Sequence, residues 1–154
     1  MFLYLVQHGE AKSKEEDPLR PLSDEGGKLV EKTAKYLGKL KPNINKIIHS
    51  GKLRAEQTAR SISVELSPKL TISQEDYLSP NDDPNIWADR LKKSETDIMI
   101  VGHLPYLSRL TSLLLCGDGK IDLITFKNAG AVCLKREESG EWSLIWILIP
   151  EMIL

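Results

Sequence analysis

Residues 2–9 read FLYLVQHG, a run of five apolar residues followed by glutamine, histidine and glycine. A short continuous apolar run predicts a strand, here over residues 2–7, that is covered on both faces. Such a strand lies in a sheet that packs between helices. The change to polar residues at Gln7 and His8 puts these side chains at the carboxyl end of the strand.

Outward from this strand, apolar runs alternate with segments of helical period. Ser23, followed by two acidic residues, is a predicted N-cap. The further strands are predicted at 45–50, 70–73, 97–101, 121–126, 131–136 and 142–149, and the helices at 23–40, from about 51 to 65, at 84–93 and at 105–115. This alternation predicts an α/β fold. Because no repeat and no linker interrupts the pattern, we expect residues 1–154 to form a single domain.

Composition excludes several classes of protein. The 21 basic and 22 acidic residues give a net charge of -1, so we expect no nucleic-acid partner bound through bulk charge. We also expect no signal peptide and no membrane partner, since every apolar run is too short to cross a bilayer. Cys116 and Cys133 have no metal-ligand spacing and are predicted to be buried free thiols of a cytoplasmic protein. With three histidines and no clustered acids, we expect no metal and no cofactor.

Polar residues follow three of the predicted strands: Gln7-His8-Gly9, the stretch from Ser50 to Arg54, and Gly102-His103. In open α/β sheets, ligands bind beyond the carboxyl ends of the strands. Packing explains one such histidine well, but it does not explain two histidines and an arginine at equivalent positions. These residues therefore predict a local anion site. His49 lies within an apolar run and is expected to be structural.

These motifs carry a family resemblance. Residues 7–11, QHGEA, resemble the RHG motif of the histidine phosphatase superfamily; residues 50–59, SGKLRAEQTA, resemble its second motif, and residues 101–105, VGHLP, its third. Together with residues 20–26, RPLSDEG, the pattern resembles the SixA-type branch, whose members act on phosphohistidine. The resemblance implies a three-layer α/β/α sandwich with a mostly parallel central sheet, of the phosphoglycerate mutase-like kind.

The resemblance also implies catalytic roles. His8 is the expected nucleophile, Arg54 would grip two phosphoryl oxygens, and a protonated His103 would donate to another. The expected phosphate-binding residues are Gln7, Gly9, Arg20 and Ser50, where Gly9 allows a sharp turn and Ser50 donates either to His8 or to the phosphate. Gln57 and Thr58 are expected to pack around the site without touching substrate.

Two departures from the family pattern leave alternatives open. Gln7 stands where the family usually has arginine, so the site has one cation fewer. No acidic residue aligns clearly with the position of the family's general acid, and Glu10 and Asp17 are the candidates for that role. The expected partner is a phosphorylated protein, such as a histidine phosphotransfer domain. We expect this chain to be a monomer whose pocket is an open groove. The alternatives are a phosphatase for small phosphoesters and a phosphate-binding module without catalysis.

Overall fold

A computed structural model describes all residues, 1–154. Strands and helices alternate along most of the chain. In order, the elements are β1 (Phe2–Gln7), α1 (Asp24–Leu40), β2 (Lys46–His49), α2 (Leu53–Leu66), β3 (Thr71–Gln74), α3 (Pro84–Lys92), β4 (Ile98–Gly102), α4 (Tyr106–Cys116), β5 (Ala131–Arg136), β6 (Trp142–Leu148) and a 3-10 helix at Pro150–Met152. None of these helices has the length and apolar character that crossing a membrane requires.

All six strands form one sheet in the order β3-β2-β4-β1-β5-β6. The pairings among β1 to β4 are parallel, whereas β5 and β6 run antiparallel at one side. Helices α1 and α2 cover one face and α3 and α4 the other, each over its own apolar cluster. The expected three-layer sandwich with a mostly parallel sheet is therefore confirmed. Strands β2, β4 and β1 are neighbours, so their carboxyl ends meet at one edge.

The ends of α1 form as expected. The side chain of Ser23 accepts a hydrogen bond from the amide of Gly26 at 3.0 Å, and Asp24 and Glu25 lie in the first turn. The helix stops at Leu40 because Lys41 takes a left-handed conformation and Pro42 cannot continue it.

Two expectations about the second half of the chain are wrong. Residues 121–126 form no strand. Ile124 and Phe126 are buried in the core under α3 and α4, whereas Ile121 and Leu123 are exposed. A loop that buries two side chains separated by one residue imitates a strand in sequence, but β6 already pairs with β5 and leaves this segment no partner. Cys116 is exposed, not buried, because the helix it ends reaches the surface; both cysteines are free.

Candidate active site

The carboxyl ends of β1 and β4 bring two imidazoles together. The amide of His8 donates to the carbonyl of Gly102 at 3.0 Å, which ties the ends of the strands to each other. The rings of His8 and His103 lie 4.8 Å apart between centroids, at an interplanar angle of 53°. The structure therefore brings together the two histidines that follow equivalent parallel strands.

The hydrogen bonds of His8 define its tautomer. Nδ1 lies 2.6 Å from the carbonyl oxygen of Gly9. Because a carbonyl only accepts, Nδ1 carries the proton and Nε2 carries the lone pair. Arg54 Nε donates to that Nε2 at 3.3 Å. The nitrogen that can act as a nucleophile thus faces the arginine of α2.

Thr58 connects the segment after His8 to α2. The amide of Gly9 donates to Thr58 Oγ1 at 3.1 Å, and Thr58 donates to the carbonyl of Arg54 at 2.8 Å. Gly9 itself is needed for close packing: a Cβ there would lie 2.5 Å from Val30 Cγ2 and 2.9 Å from Leu22 Cδ2. Its φ is outside the left-handed region, so the expected reason for this glycine, a sharp backbone turn, is replaced by contact with α1.

Ser50 contacts His103, and not His8. Ser50 Oγ lies 2.5 Å from His103 Nε2, and the imidazole of His103 is only 2% exposed. His103 Nδ1 is buried without a partner. His49, the last residue of β2, accepts from the amide of Gly51 through Nδ1 at 3.1 Å.

Both site imidazoles are neutral at pH 7. Burial lowers the pKa of His8 to about 4; its bond to Gly9 opposes the shift, and Arg54 and Arg20 lower it further. Burial also lowers the pKa of His103 to about 3, helped by His8, Arg54, Lys52 and Arg20. The pKa of Arg54 is lowered as well, by burial and then by Arg20. Every charged group that shifts these pKa values is a base, so the pocket has a local positive potential.

Arg20 is held beside this cluster by its loop. Its backbone has a φ of 48°, and its Nε donates to the carbonyl of Lys12 at 3.1 Å. Gln57 Oε1 accepts from the amide of Leu22 at 2.8 Å and so fixes the same loop to α2. Gln57 therefore packs beside the site, as expected.

The side chain of Gln7 is hydrogen-bonded to a residue that the sequence did not indicate. Gln7 Nε2 donates to Asn128 Oδ1 at 2.7 Å, and Gln7 Oε1 is buried without a partner. The amide of Ala129 donates to the carbonyls of Gln7 and His8, so the loop before β5 closes over the end of β1. Asn128 has no motif around it, and only the fold shows that it reaches Gln7.

The two candidate general acids lie outside the cluster. Glu10 Oε1 accepts from Ser23 Oγ at 3.1 Å at the start of α1. Asp17 Oδ1 accepts from the amide of Leu19 at 3.0 Å within its own loop. Neither carboxylate is among the groups that shift the pKa of His8 or His103. No three acidic, histidine or cysteine side chains are arranged to hold a metal ion.

Two imidazoles and an arginine thus lie together beyond the carboxyl ends of parallel strands, in a three-layer sandwich. No protein-family model matches the chain. The chain is 25% identical to the phosphohistidine phosphatase SixA of Escherichia coli K12 over 155 residues, 97% of this chain and 94% of that protein. The chain is thus a homologue of SixA, which confirms the resemblance found in its motifs.

Solved structures agree on the fold. The protein histidine phosphatase SixA complexed with tungstate superposes with a TM-score of 0.86 at 24% identity, over 97% of both chains. The alpha-ribazole phosphatase of Shigella flexneri superposes with a TM-score of 0.79 at 14% identity, again over 97% of both chains. The same fold therefore carries phosphatases named for a protein substrate and for a small one.

Proposed function

We propose that the chain is a phosphatase that takes a phosphoryl group from protein-bound phosphohistidine onto His8 and then transfers it to water. The observation that carries the proposal is the state of His8: a neutral imidazole with its lone pair on Nε2, beside an arginine and surrounded by basic groups. A neutral imidazole is a competent nucleophile.

The first step uses the lone pair of His8 Nε2. The substrate imidazole is first protonated by solvent at its free ring nitrogen. His8 Nε2 then attacks phosphorus, the nitrogen–phosphorus bond of the substrate breaks, and the electron pair leaves with the now neutral substrate imidazole. Arg54 turns from Nε2 to the phosphoryl oxygens, where its fork binds two of them. Nδ1 keeps its proton and donates it to the carbonyl oxygen of Gly9, which stabilises the positive charge of phosphorylated His8.

The second step returns the enzyme to its first state. Water attacks the phosphorus of phosphorylated His8, the bond to Nε2 breaks, and inorganic phosphate leaves. Arg20, Arg54 and Lys52 face the charge that spreads over the equatorial oxygens. Positioned charges of this kind supply most of the catalysis in phosphoryl transfer.

The surroundings of His8 favour phosphohistidine over an alkyl phosphate. An alcohol leaving group needs a positioned proton donor, which contributes about 10²–10⁴-fold to the rate. The carboxylates of Glu10 and Asp17 are held elsewhere by Ser23 Oγ and the amide of Leu19. The imidazole of phosphohistidine leaves once its ring nitrogen is protonated and makes less demand on such a donor.

The test compares two phosphopeptides that differ only at the phosphorylated residue. The phosphohistidine peptide should be hydrolysed at least about 100-fold faster than the phosphoserine peptide, because the general-acid contribution is missing. Equal rates on both would refute the phosphohistidine assignment. His8→Asn should abolish turnover, and an alkaline quench should trap acid-labile phosphate on the native protein only. His49→Asn is the matched control and should keep both the turnover and the trapped phosphate.

A small-molecule phosphomonoesterase is the second candidate, favoured by the shared fold of the alpha-ribazole phosphatase. It would show itself as hydrolysis of small phosphoesters at rates above those of the phosphohistidine peptide. A phosphate-binding module would bind the phosphopeptide and form no phosphorylated His8.

A further inference from the structure

The outer strand β6 is an open edge of the sheet. The strand order ends at β6, so one side of its backbone has no strand partner. Residues 142–150, WSLIWILIP, contain no charge. On this edge Leu144, Ile145 and Ile147 are 42%, 46% and 43% exposed. Monomeric proteins protect such edges with charges, prolines, β-bulges or short strands.

The opposite edge of the same sheet is protected in this way. There β3 has only four residues, Thr71–Gln74, of which three are polar, and it lies between Lys69 and Glu75. The edge at β6 has a bulge at Ile145 and a proline, Pro150, after its end, but it has no charge and is longer than β3, so it is the less protected of the two edges.

An apolar groove continues the open edge toward α1. Its volume is about 420 Å³, and Lys39 is its one charged lining residue. Tyr36, Ile147, Ile149, Met152 and Leu154 line much of the rest. The groove and the exposed residues of β6 are thus both apolar, and exposed apolar surface of this kind marks protein interfaces.

We propose that β6 pairs antiparallel with β6 of a second copy of this chain, which forms a twofold dimer with one continuous sheet. The β5–β6 register shifts next to Leu134, and Ile145 is the extra residue. This bulge divides the edge into two straight segments of equal length, 142–144 and 146–148. In an antiparallel pair about a twofold axis, each segment faces the other segment of the partner.

Charge complementarity also favours a second copy. Antiparallel pairing brings the start of one β6 beside the end of the other, so Glu141 approaches the groove that contains Lys39 of the other copy. Neither side chain is in an ion pair within its own chain. One strand, β5, separates β6 from β1, at whose carboxyl end His8 lies, and two strands separate β6 from β4. The inference replaces the monomer expected from the sequence and does not depend on the proposed activity.

Sedimentation equilibrium of the full chain over a concentration series tests the dimer. The native chain should sediment at twice the 17.3 kDa chain mass. Ile145→Lys places two like charges at the axis and should weaken the dimer at least about 100-fold. Val64→Lys changes an apolar residue of α2 that is 73% exposed, and it should dimerise as the native chain does.

Charge reversal tests the orientation of the two strands. Lys39→Glu and Glu141→Lys should each weaken the dimer, and the double variant should restore it. A monomeric native chain at all concentrations, a polydisperse aggregate, or an Ile145→Lys variant that dimerises as tightly as Val64→Lys would overturn the proposal. Failure of the charge reversal to restore a dimer would overturn the antiparallel arrangement.

Discussion

Thr58→Val tests whether the threonine that joins His8 to α2 positions the nucleophile. Valine keeps the shape of the side chain but removes the oxygen that accepts from the amide of Gly9. The carbonyl of Arg54 keeps its backbone bond within α2, so the loss is one buried amide without a partner. Such a group costs about 1–3 kcal/mol, which for a domain of this size lowers Tm by roughly 2–12 °C.

Thr33→Val is the matched control for this variant. Thr33 is also buried in a helix, but its hydroxyl has no partner, so valine should leave Tm unchanged or raise it. Thr58→Val should also lower kcat by about tenfold or more. The reason is that Gly9 accepts the hydrogen bond of His8 Nδ1, so a shift of Gly9 also shifts the nucleophile. Thermal unfolding and steady-state hydrolysis of phosphohistidine peptide measure both effects. Equal Tm and equal kcat for the two variants would refute the positioning role.

The remaining predictions concern charge. The pKa of His8 is about 4 and that of His103 about 3 in the folded chain, against about 6.5 when unfolded, so the unfolded chain binds more protons in this window. The free energy of unfolding should therefore rise with pH from about 4 to 6.5, by about 1.4 kcal/mol per pH unit for each imidazole. Urea unfolding at several pH values measures this slope, and in His103→Asn the contribution of one imidazole should be missing. An unchanged slope in this variant would contradict the lowered pKa of His103. Gln7→Arg should not raise kcat/KM, because the guanidinium would have to displace the bond to Asn128 and enter a half-buried position without an anionic partner. A gain of about tenfold would show instead that the arginine reaches the phosphate.

Patterns of apolar residues predicted most of the fold because they record burial directly. The continuous apolar run gives the bounds of β1 correctly, and Ser23 gives the start of α1. The same reasoning failed at residues 121–126, where alternate burial comes from a loop packed on the core. Burial alone does not distinguish a paired strand from an extended loop, since the partner strand is set by the whole topology.

Like the fold, the site could be predicted only in part from the sequence. His8, Arg54 and His103 were predicted together because the ends of parallel strands meet in any α/β sheet, and the structure brings them together. The contact of Ser50 with His103 and that of Gln7 with Asn128 depend on side-chain directions and on a loop far along the chain. No local spacing in the sequence encodes either contact.

The neutrality of His103 changes how the pocket works. A protonated His103 in the empty site would face Arg54, Lys52 and Arg20 with no anion among them, and burial would add to the cost. A phosphoryl group brings negative charge into the same space and raises the pKa of His103 toward its ordinary value. We therefore expect His103 to take up its proton with the substrate, so that its positive charge stabilises the negative charge that develops on the phosphoryl oxygens. Ser50, on His103 Nε2, then keeps the imidazole oriented in both protonation states.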